Sequence, residues 1–579
     1  MISSAAEVQN HHRARALLDR AWAELARTPY VQQQNGDYTE RLPDLSFDEA
    51  ERRSAVGREL VYELNALNQA ALDIDTRLSL RLVRYRAEMW ASEADWYWLV
   101  VDPRGIGSFG LFHPTAYCGG YILNFVHQRM AAITFLSHSD VAYYADLIND
   151  YAGLLDQFVE RLTGQAARGI CMPAPQVLQA RQLIAGYRAG AIAAVRPHRE
   201  RLVGLGESDV GGQLQDLAEQ HILPAYDRLL ASLSDDYLAS APSTVGISQY
   251  EGGAAIYETL ARIHTTLDWS VAEIHGRAQA RIEEIEEEMR AIERALGAAD
   301  SAALRAACAE QPEWQVDGPD SVARLLDRQV AAIEPLMPAL FATLPEASCG
   351  VAPLPATLEA AMTFGFYDPP KRDRARGIYY FNALNMAKQP PLHARALMAH
   401  ELLPGHHVQF ARQVENTDLH PLRRYSFVNA YIEGWAEYAA ELAGELGLYE
   451  TPEQRYGRLI MEVFLTSRLV ADTGMNALNW TLKDARSYMR RHSRLTDAEI
   501  ASETLRYGCD RPGQVLAYKL GDRHMLDLRD RERKVLGRHF DIREFHEAIL
   551  NAGPVPLGDL DWFLAERRRG SASLGSAGR

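Results

Sequence analysis

The sequence has neither a long hydrophobic run nor a recognisable export signal. No stretch of about 18 consecutive apolar residues, which a membrane-spanning helix needs, occurs in the 579 residues. Residues 1–7 contain no basic segment followed by an apolar one, the pattern that a secretory signal would show. The sequence therefore predicts a cytoplasmic protein with no membrane partner.

Cysteine is scarce and scattered. The five cysteines lie far apart and never in CxxC spacing. This excludes a dense disulfide framework and a thiolate zinc site from the expected features. Nothing in the sequence singles out one cysteine as a nucleophile, so all five are expected to be free thiols that simply pack.

Positive charge is outnumbered by negative charge. Lysine and arginine total 61 against 77 acidic residues, which gives a formal net charge of -16. A protein that binds nucleic acid without regard to sequence needs a basic face. The charge balance therefore predicts no nucleic-acid partner.

Helical periodicity is what the sequence has in abundance. Residues 10–27 and 47–70 are rich in Ala, Leu, Arg and Glu, with apolar positions three and four residues apart. The same spacing recurs from Ile274 to Leu296, where the acidic residues between 283 and 288 are interpreted as a solvated helix face. These patterns predict a mainly α-helical protein.

Length and loop composition predict the domain organisation. A chain of 579 residues exceeds the roughly 250 to 300 at which a single core stops growing. Ser, Asp, Pro and Gly cluster between residues 233 and 253, and we place the main boundary there. We expect a flexible N-terminus (1–14), an N-terminal helical lobe (15–245), a catalytic helical lobe with the metal motif (246–565) and a disordered tail (566–579).

Two stretches interrupt the helical pattern. The glycines and aromatic residues of 105–121 indicate a loop or turn near a cleft, with a structural corner as the alternative. The run GIYYFN at 377–382 is typical of a strand. Such a strand could offer its edge, including Tyr380, to an extended peptide substrate, or it could belong to a hairpin that only packs.

The motif HELLPGHH, which begins at His400, carries the metal chemistry. An ordinary HExxH helix places two histidines four residues apart around one Zn2+, but here the fourth residue is Pro404. On an unbroken helix His406 would point about 120° away from His400, and His407 would lie about 10 Å further along. Because Pro404 lacks an N–H and Gly405 tolerates unusual dihedrals, we expect a break or bulge that makes His406 the second ligand, with His407 as the alternative.

An acidic helix downstream supplies further candidates. Glu433 lies 27 residues after His406, on a helix predicted for 431–446, and Glu437 is one turn further on the same side. Two histidines and a glutamate leave an open coordination position, as in catalytic zinc sites. We predict one Zn2+ per chain held by His400, His406 and Glu433. Glu437 either orients a ligating imidazole or faces solvent.

These motifs resemble those of one family. The relevant segments are HELLPGHH (400–407), EGWAEY (433–438), RLVADTG (468–474), PGQVLAYKLG (512–521) and FDIREFH (540–546). They are similar to the DUF885 family over about residues 15–560. The resemblance implies a mainly α-helical, zincin-like metallopeptidase relative, elongated and two-lobed, with a deep central cleft and a small β element near 377–382. Many members look like secreted lipoproteins, and the family usually has His where Asn476 stands.

Metal-assisted hydrolysis assigns roles to further residues. Glu401, beside the first ligand, is the expected general base. The oxyanion of the tetrahedral intermediate needs a hydrogen-bond donor. Tyr518 is the first candidate for this donor, with Tyr507 and His407 as alternatives.

Three basic residues near Tyr518 are candidates for binding a substrate carboxylate. These residues are Arg511, Lys519 and Arg523, and the guanidinium fork of arginine suits a carboxylate. Surface solvation explains any one of the three equally well. Arg468 and Asp472, spaced i to i+4, are expected to pair on a helix.

Three functions remain open on the sequence. The first is a zinc-dependent exopeptidase or amidase that acts on a short peptide or amide-containing small molecule. The second keeps the metal but acts on an amino-acid-derived metabolite. The departure from the family pattern at Asn476 and the lack of a recognisable export signal favour this alternative. The third is a metal-free binding protein on a peptidase scaffold. The oligomeric state also stays open, with a homodimer as one alternative.

Overall fold

Helices make up most of the chain, as the sequence predicts. The computed structural model describes residues 5–202, 209–355, 359, 362, 364–371 and 374–577. The first four residues of the predicted flexible N-terminus and the last two of the predicted tail lie outside this range.

The helices before the sheet are α1 (Ala5–Ala26), α2 (Pro29–Asn35), α3 (Phe47–Asn65), α4 (Ile74–Ala91), α5 (Glu93–Trp96), α6 (Gly119–Ala132), α7 (His138–Ala166), α8 (Ala174–Val195), α9 (Val210–Ser232), α10 (Asp235–Ser240), α11 (Gly253–Thr265), α12 (Val271–Ala295), α13 (Ser301–Ala309), α14 (Pro319–Ile333) and α15 (Met337–Leu340). The helices after it are α16 (Ala383–Met386), α17 (Ala394–Glu401), α18 (His406–Glu415), α19 (Pro421–Arg424), α20 (Asn429–Glu445), α21 (Pro452–Ala477), α22 (Leu482–His492), α23 (Asp497–Leu505), α24 (Leu516–Leu536), α25 (Ile542–Ala552) and α26 (Leu557–Ala577). A π-helical turn, Arg506–Asp510, follows α23.

Three short strands form one sheet beside the metal motif. They are β1 (Ser348–Pro353), β2 (Gly365–Asp368) and β3 (Arg376–Phe381), in the order β1-β3-β2. β3 pairs with β1 in parallel and with β2 in antiparallel orientation. The strand predicted near 377–382 is therefore confirmed. Of the two alternatives for this strand, the free edge that binds a peptide is wrong, because β3 is the central strand and has a partner on each side.

The largest core joins the two ends of the chain. Its buried apolar residues come from α1, α3 and α4 and, far along the sequence, from α14, α17, α18, α20 and α25. Each fully buried Leu, Ile or Phe in it contributes about 1.5 to 3 kcal/mol. A second core lies among α6, α7, α8 and α9. The first core draws on both sides of the boundary predicted near residue 245, and that division stays a prediction.

Several helix predictions from the sequence are confirmed. α1 and α3 cover most of 10–27 and 47–70, and α12 buries Ile274, Ile282 and Met289 on one face. α26 continues to Ala577, so helical residues occur within the predicted tail. All five cysteines are free thiols. Within the described ranges, no helix combines the length and the apolarity that crossing a membrane would require.

Candidate metal centre

The predicted break in the metal motif is confirmed. Helix α17 ends at Glu401 and α18 begins at His406. A Cβ atom at Gly405 would lie 1.8 Å from the carbonyl oxygen of His400, so only glycine fits at this turn. The motif is therefore two helices joined by a tight turn, and the turn brings the two histidines together.

His400 and His406 meet Glu433 of α20 at this turn. Glu433 Oε2 lies 3.4 Å from His406 Nε2 and 3.9 Å from His400 Nε2. The two imidazole centroids are 4.8 Å apart, and one donor atom from each of the three residues lies within 4.8 Å of the others. None of the three side chains is more than 12% exposed. The structure thus brings together the three residues predicted as metal ligands.

Two glycines let α20 and α24 approach closely beside this group. A Cβ atom at Gly434 would lie 2.5 Å from the carbonyl carbon of Gly521, and one at Gly521 would lie 2.2 Å from the oxygen of Ala430. No larger residue fits at either position without moving a backbone. The contact places Glu433 on α20 beside Tyr518 on α24.

Glu437, one helical turn after Glu433, orients His400. His400 Nδ1 lies 2.9 Å from Glu437 Oε1, so the carboxylate accepts from Nδ1–H and leaves the Nε2 lone pair towards Glu433. Arg458 donates to the other carboxylate oxygen at 3.0 Å, and neither Glu437 nor Arg458 is exposed. Burial alone would raise the pKa of Glu437, but Arg458 and the bond with His400 hold it well below its usual value. The solvent-facing alternative for Glu437 is therefore wrong.

Glu437 belongs to a larger set of paired charges, most of them buried. Lys519 Nζ lies 3.7 Å from both Glu437 and Glu462 and forms a closer pair with Asp522. Arg281 pairs with Glu462 at 2.8 Å. We call this set the ion-pair network; its residues are Arg281, Glu437, Arg458, Glu462, Lys519 and Asp522. Lys519 is thus engaged with protein carboxylates.

Glu401 and Tyr518 flank the histidine-glutamate group. Burial raises the pKa of Glu401, and the charges of His400 and His406 oppose that rise. The Tyr518 ring stacks on His400 with centroids 6.2 Å apart. Burial and the charge of Glu433 raise the pKa of Tyr518. Its hydroxyl therefore stays protonated at neutral pH and can donate a hydrogen bond.

His407 points away from this group. Its Nδ1 lies 2.9 Å from the Tyr367 hydroxyl, and its Nε2 lies 2.9 Å from the carbonyl oxygen of Ala347. Burial lowers the pKa of His407 to about 4. A neutral imidazole with both nitrogens hydrogen-bonded holds α18 against the sheet. The structure does not place His407 where a second ligand or an oxyanion donor would stand.

Two predicted substrate-binding residues have other local partners. The Tyr380 ring stacks on Phe366 across the sheet, with centroids 5.2 Å apart. Arg523 pairs with Asp527 at 2.9 Å, and 65% of its side chain is exposed. Arg523 is therefore a solvated surface residue, which is the alternative that the sequence analysis left open.

The predicted pair between Arg468 and Asp472 is wrong, because the two side chains face different elements. Arg468 Nη2 lies 3.2 Å from Glu503 Oε2, and Tyr507 donates to the same carboxylate. Asp472 accepts from the backbone N–H of Gly513, at 3.1 and 3.0 Å from its two oxygens. Burial raises the pKa of Asp472 to about 7.

Asn476 braces the backbone. Its Oδ1 accepts from Ile247 N at 3.0 Å, and its Nδ2 donates to the carbonyl oxygens of Asp472 and Tyr507 at 3.0 and 3.1 Å. The side chain therefore ties α21 to two neighbouring segments.

Two residues of the ion-pair network, Arg458 and Glu462, were not identified from the sequence. They stand four residues apart in RLIMEVFL, an apolar stretch of α21. Charged residues inside such a stretch are almost never buried without partners, and this signal could have indicated a buried ion pair. The identity of the partners could not be predicted, because Arg281 is 181 residues away from Glu462.

The donor set fits a zinc ion. Two ligands at about 2.0 to 2.1 Å from a tetrahedral zinc lie roughly 3.4 Å apart, and the His406 and Glu433 atoms are 3.4 Å apart already. Two imidazoles, one carboxylate and a carboxylate that orients one imidazole make up the usual donors and support of a catalytic zinc.

Comparisons with known proteins give a family and a fold. The model of a family described as "Bacterial protein of unknown function (DUF885)" matches residues 29–563. No curated protein matches the chain. A "putative lipoprotein from Colwellia psychrerythraea" has a TM-score of 0.81 at 24% identity, covering 96% of this chain and 98% of its own. A "putative lipoprotein of unknown function from Shewanella oneidensis" has a TM-score of 0.71 at 16% identity, covering 96% and 99%. At these identities the two structures show the fold alone.

Proposed function

The chain belongs to the DUF885 family of bacterial proteins of unknown function, and from its site we propose that it is a zinc-dependent hydrolase. It would cleave an amide bond in a short peptide or a peptide-like small molecule. The observation that carries this proposal is the convergence of His400, His406 and Glu433 at the break between α17 and α18. One Zn2+ per chain would be held by these three residues.

The three donors leave a coordination position for substrate chemistry. When bound, a zinc ion lowers the pKa of a water molecule to about 7 and polarises a carbonyl oxygen. Glu437 fixes His400 in the tautomer that offers Nε2, and Arg458 holds Glu437 in place. The protein therefore supplies ligands that already lie close together, so that small side-chain movements would bring them to the spacing of a bound zinc.

Glu401 is the proposed proton carrier. It directly follows the first ligand, and burial raises its pKa. A carboxylate whose pKa is raised towards neutrality accepts a proton from water and returns it to a leaving amine more readily than an ordinary surface carboxylate. Tyr518 is the proposed donor to the oxyanion, because its protonated hydroxyl lies beside Glu433.

Turnover of a verified substrate tests this assignment. Dipeptides, acylated amino acids and amide-linked metabolites are screened with zinc-loaded protein, with and without a chelator. We expect chelation to abolish hydrolysis and Glu401→Gln to lower kcat by roughly 100-fold or more, with zinc content unchanged. Glu310→Gln, at an exposed position, serves as the matched control. Full turnover by Glu401→Gln, or hydrolysis that survives chelation, would show that the proposal is wrong.

A further inference from the structure

Arginine side chains gather around Tyr518. Arg468 Cζ lies 5.2 Å from the centroid of the Tyr518 ring, and that ring stacks on His400. Arg506 donates to Gln514 Oε1 at 2.6 Å, and Gln514 stands four residues before Tyr518 in the chain. Arg468 is thus linked to the candidate metal centre through Tyr518, and Arg506 bonds to a residue close to Tyr518 in the chain.

The aromatic loop between α5 and α6 extends this surface. Arg506 Cζ lies 4.8 Å from the ring centroid of Tyr117, whose ring is 6.2 Å from that of Tyr121. Arg104 Cζ lies 4.5 Å from the Tyr121 ring centroid. Both tyrosines and both arginines are partly exposed. Residues 105–118 form a loop, and its position near a cleft stays a prediction.

Arg511 completes the group. It follows the π-helical turn, and its backbone N–H donates to the carbonyl oxygen of Arg506 at 2.7 Å. Its side chain is only 6% exposed, yet its buried Nε has no hydrogen-bond partner. We call Arg104, Arg468, Arg506 and Arg511 the arginine cluster.

The arginine cluster has more positive charge than its surroundings neutralise. Glu503 pairs with Arg468 at 3.2 Å and with Arg506 at 3.8 Å. Among the residues that the structure describes, neither Arg104 nor Arg511 has an acidic partner within 4.0 Å. Asp510 is adjacent, but its oxygens accept from Thr115 and from the Tyr117 N–H at 2.6 and 3.0 Å.

A buried guanidinium without a carboxylate is costly to keep. Burial lowers the pKa of Arg511, and the charges of Arg506 and Arg104 act in the same direction. An anion that enters beside it would gain charge-assisted hydrogen bonds in surroundings that screen charge less than water does. The arrangement is therefore suited to a ligand that brings its own negative charge.

We propose that the arginine cluster, which includes the buried and unpaired Arg511, binds a carboxylate of the substrate, so that the substrate is a short peptide or acylated amino acid with a free carboxyl terminus. This inference rests on the proposed hydrolase function. Of the basic residues predicted to bind substrate, it retains Arg511 and replaces Lys519 and Arg523 by Arg104, Arg468 and Arg506. Tyr518 would link the two subsites, since it contacts both Arg468 and His400.

Matched ligands that differ only in charge test the proposal. Binding of acetyl-alanyl-alanine and of its C-terminal amide is measured by calorimetry on zinc-loaded protein carrying Glu401→Gln, which prevents cleavage. We expect the acid to bind ~10- to 100-fold more tightly than the amide, the range of a charge-assisted pair. Adding Arg511→Gln should reduce this preference to less than about 3-fold, whereas adding Arg523→Gln should leave it intact.

The two proposals fail separately in this design. Equal affinity for acid and amide, no measurable binding of the acid, or a preference that survives Arg511→Gln would overturn the carboxylate subsite, even where zinc-loaded wild type cleaves peptides. A preference that Arg511→Gln removes would support the subsite, even where no tested amide is hydrolysed. The thermal midpoint of Arg511→Gln is measured as well, because a structural role for Arg511 would lower it.

Discussion

Two groups of arginines near His400 each contain a buried member, and the two groups differ in how the charge of that member is neutralised. In the ion-pair network, Arg458 pairs with Glu437 and Glu441. In the arginine cluster, Arg511 is similarly buried but has no acidic partner among the described residues. The first arrangement orients His400, and the second leaves positive charge without a protein carboxylate.

The comparison shows how burial alone misleads. Both arginines are removed from water, but only the paired one is expected to hold the fold together. Removing one partner of a buried pair leaves an uncompensated charge, whereas removing an unpaired charge relieves a desolvation cost. Function is therefore to be sought where buried charge is left without a partner.

The substitution of Arg458 is expected to have the largest effect on stability. Arg458→Gln leaves Glu437 without its main partner, and we expect a loss of about 3 to 5 kcal/mol in the free energy of unfolding. Urea denaturation measures this loss, with the exposed Arg523→Gln as control. A loss below about 1 kcal/mol would remove the contrast between the two groups of arginines.

An effect of intermediate size is expected for Glu462, which should make the stability of the fold depend on pH. Burial raises the pKa of Glu462, but Lys519, Arg458 and Arg281 outweigh it and lower the pKa to about 2. A carboxylate with a depressed pKa stabilises the fold above its unfolded value near 4.5, and this contribution is lost as the pH falls from there towards 2.

Glu462→Gln tests this sign. The variant should be less stable than wild type at neutral pH, and its thermal midpoint should fall less between pH 5 and pH 3. Glu310→Gln should follow the wild type across the same range. A variant whose midpoint falls as steeply as that of wild type would show that Glu462 does not contribute to acid sensitivity.

The substitution of Arg511 is expected to have the smallest effect on stability. Because this guanidinium is buried without a carboxylate, Arg511→Gln should change the free energy of unfolding by less than about 1 kcal/mol or increase it. The measurement is the same urea titration as for Arg458→Gln. A loss comparable with that of Arg458→Gln would mean that Arg511 is a structural residue.

Local backbone chemistry made part of the site predictable. Pro404 and Gly405 cannot continue an ordinary helix, so the break between α17 and α18 followed from two residues. The position of Glu433 followed from helical spacing and a motif. Both predictions depend on neighbours in the sequence, and both hold in the structure.

Long-range contacts account for what the sequence did not predict. His407 is not available as a metal ligand because it hydrogen-bonds to Tyr367, which lies forty residues earlier on strand β2. The strand at 376–381 has no free edge because β1 and β2 flank it, which no pattern within the strand reveals. Arg458 and Lys519 meet at Glu437 from separate helices. The mainly α-helical class was predictable from periodicity, whereas these pairings depend on tertiary packing.

The zinc content of purified protein, never exposed to a chelator, tests the central claim most directly. The site predicts about one Zn2+ per chain in wild type and in His407→Ala, and a loss of stoichiometric zinc in His406→Ala. Wild-type protein without stoichiometric metal, or a His406→Ala variant that keeps zinc while His407→Ala loses it, would contradict the ligand set of His400, His406 and Glu433.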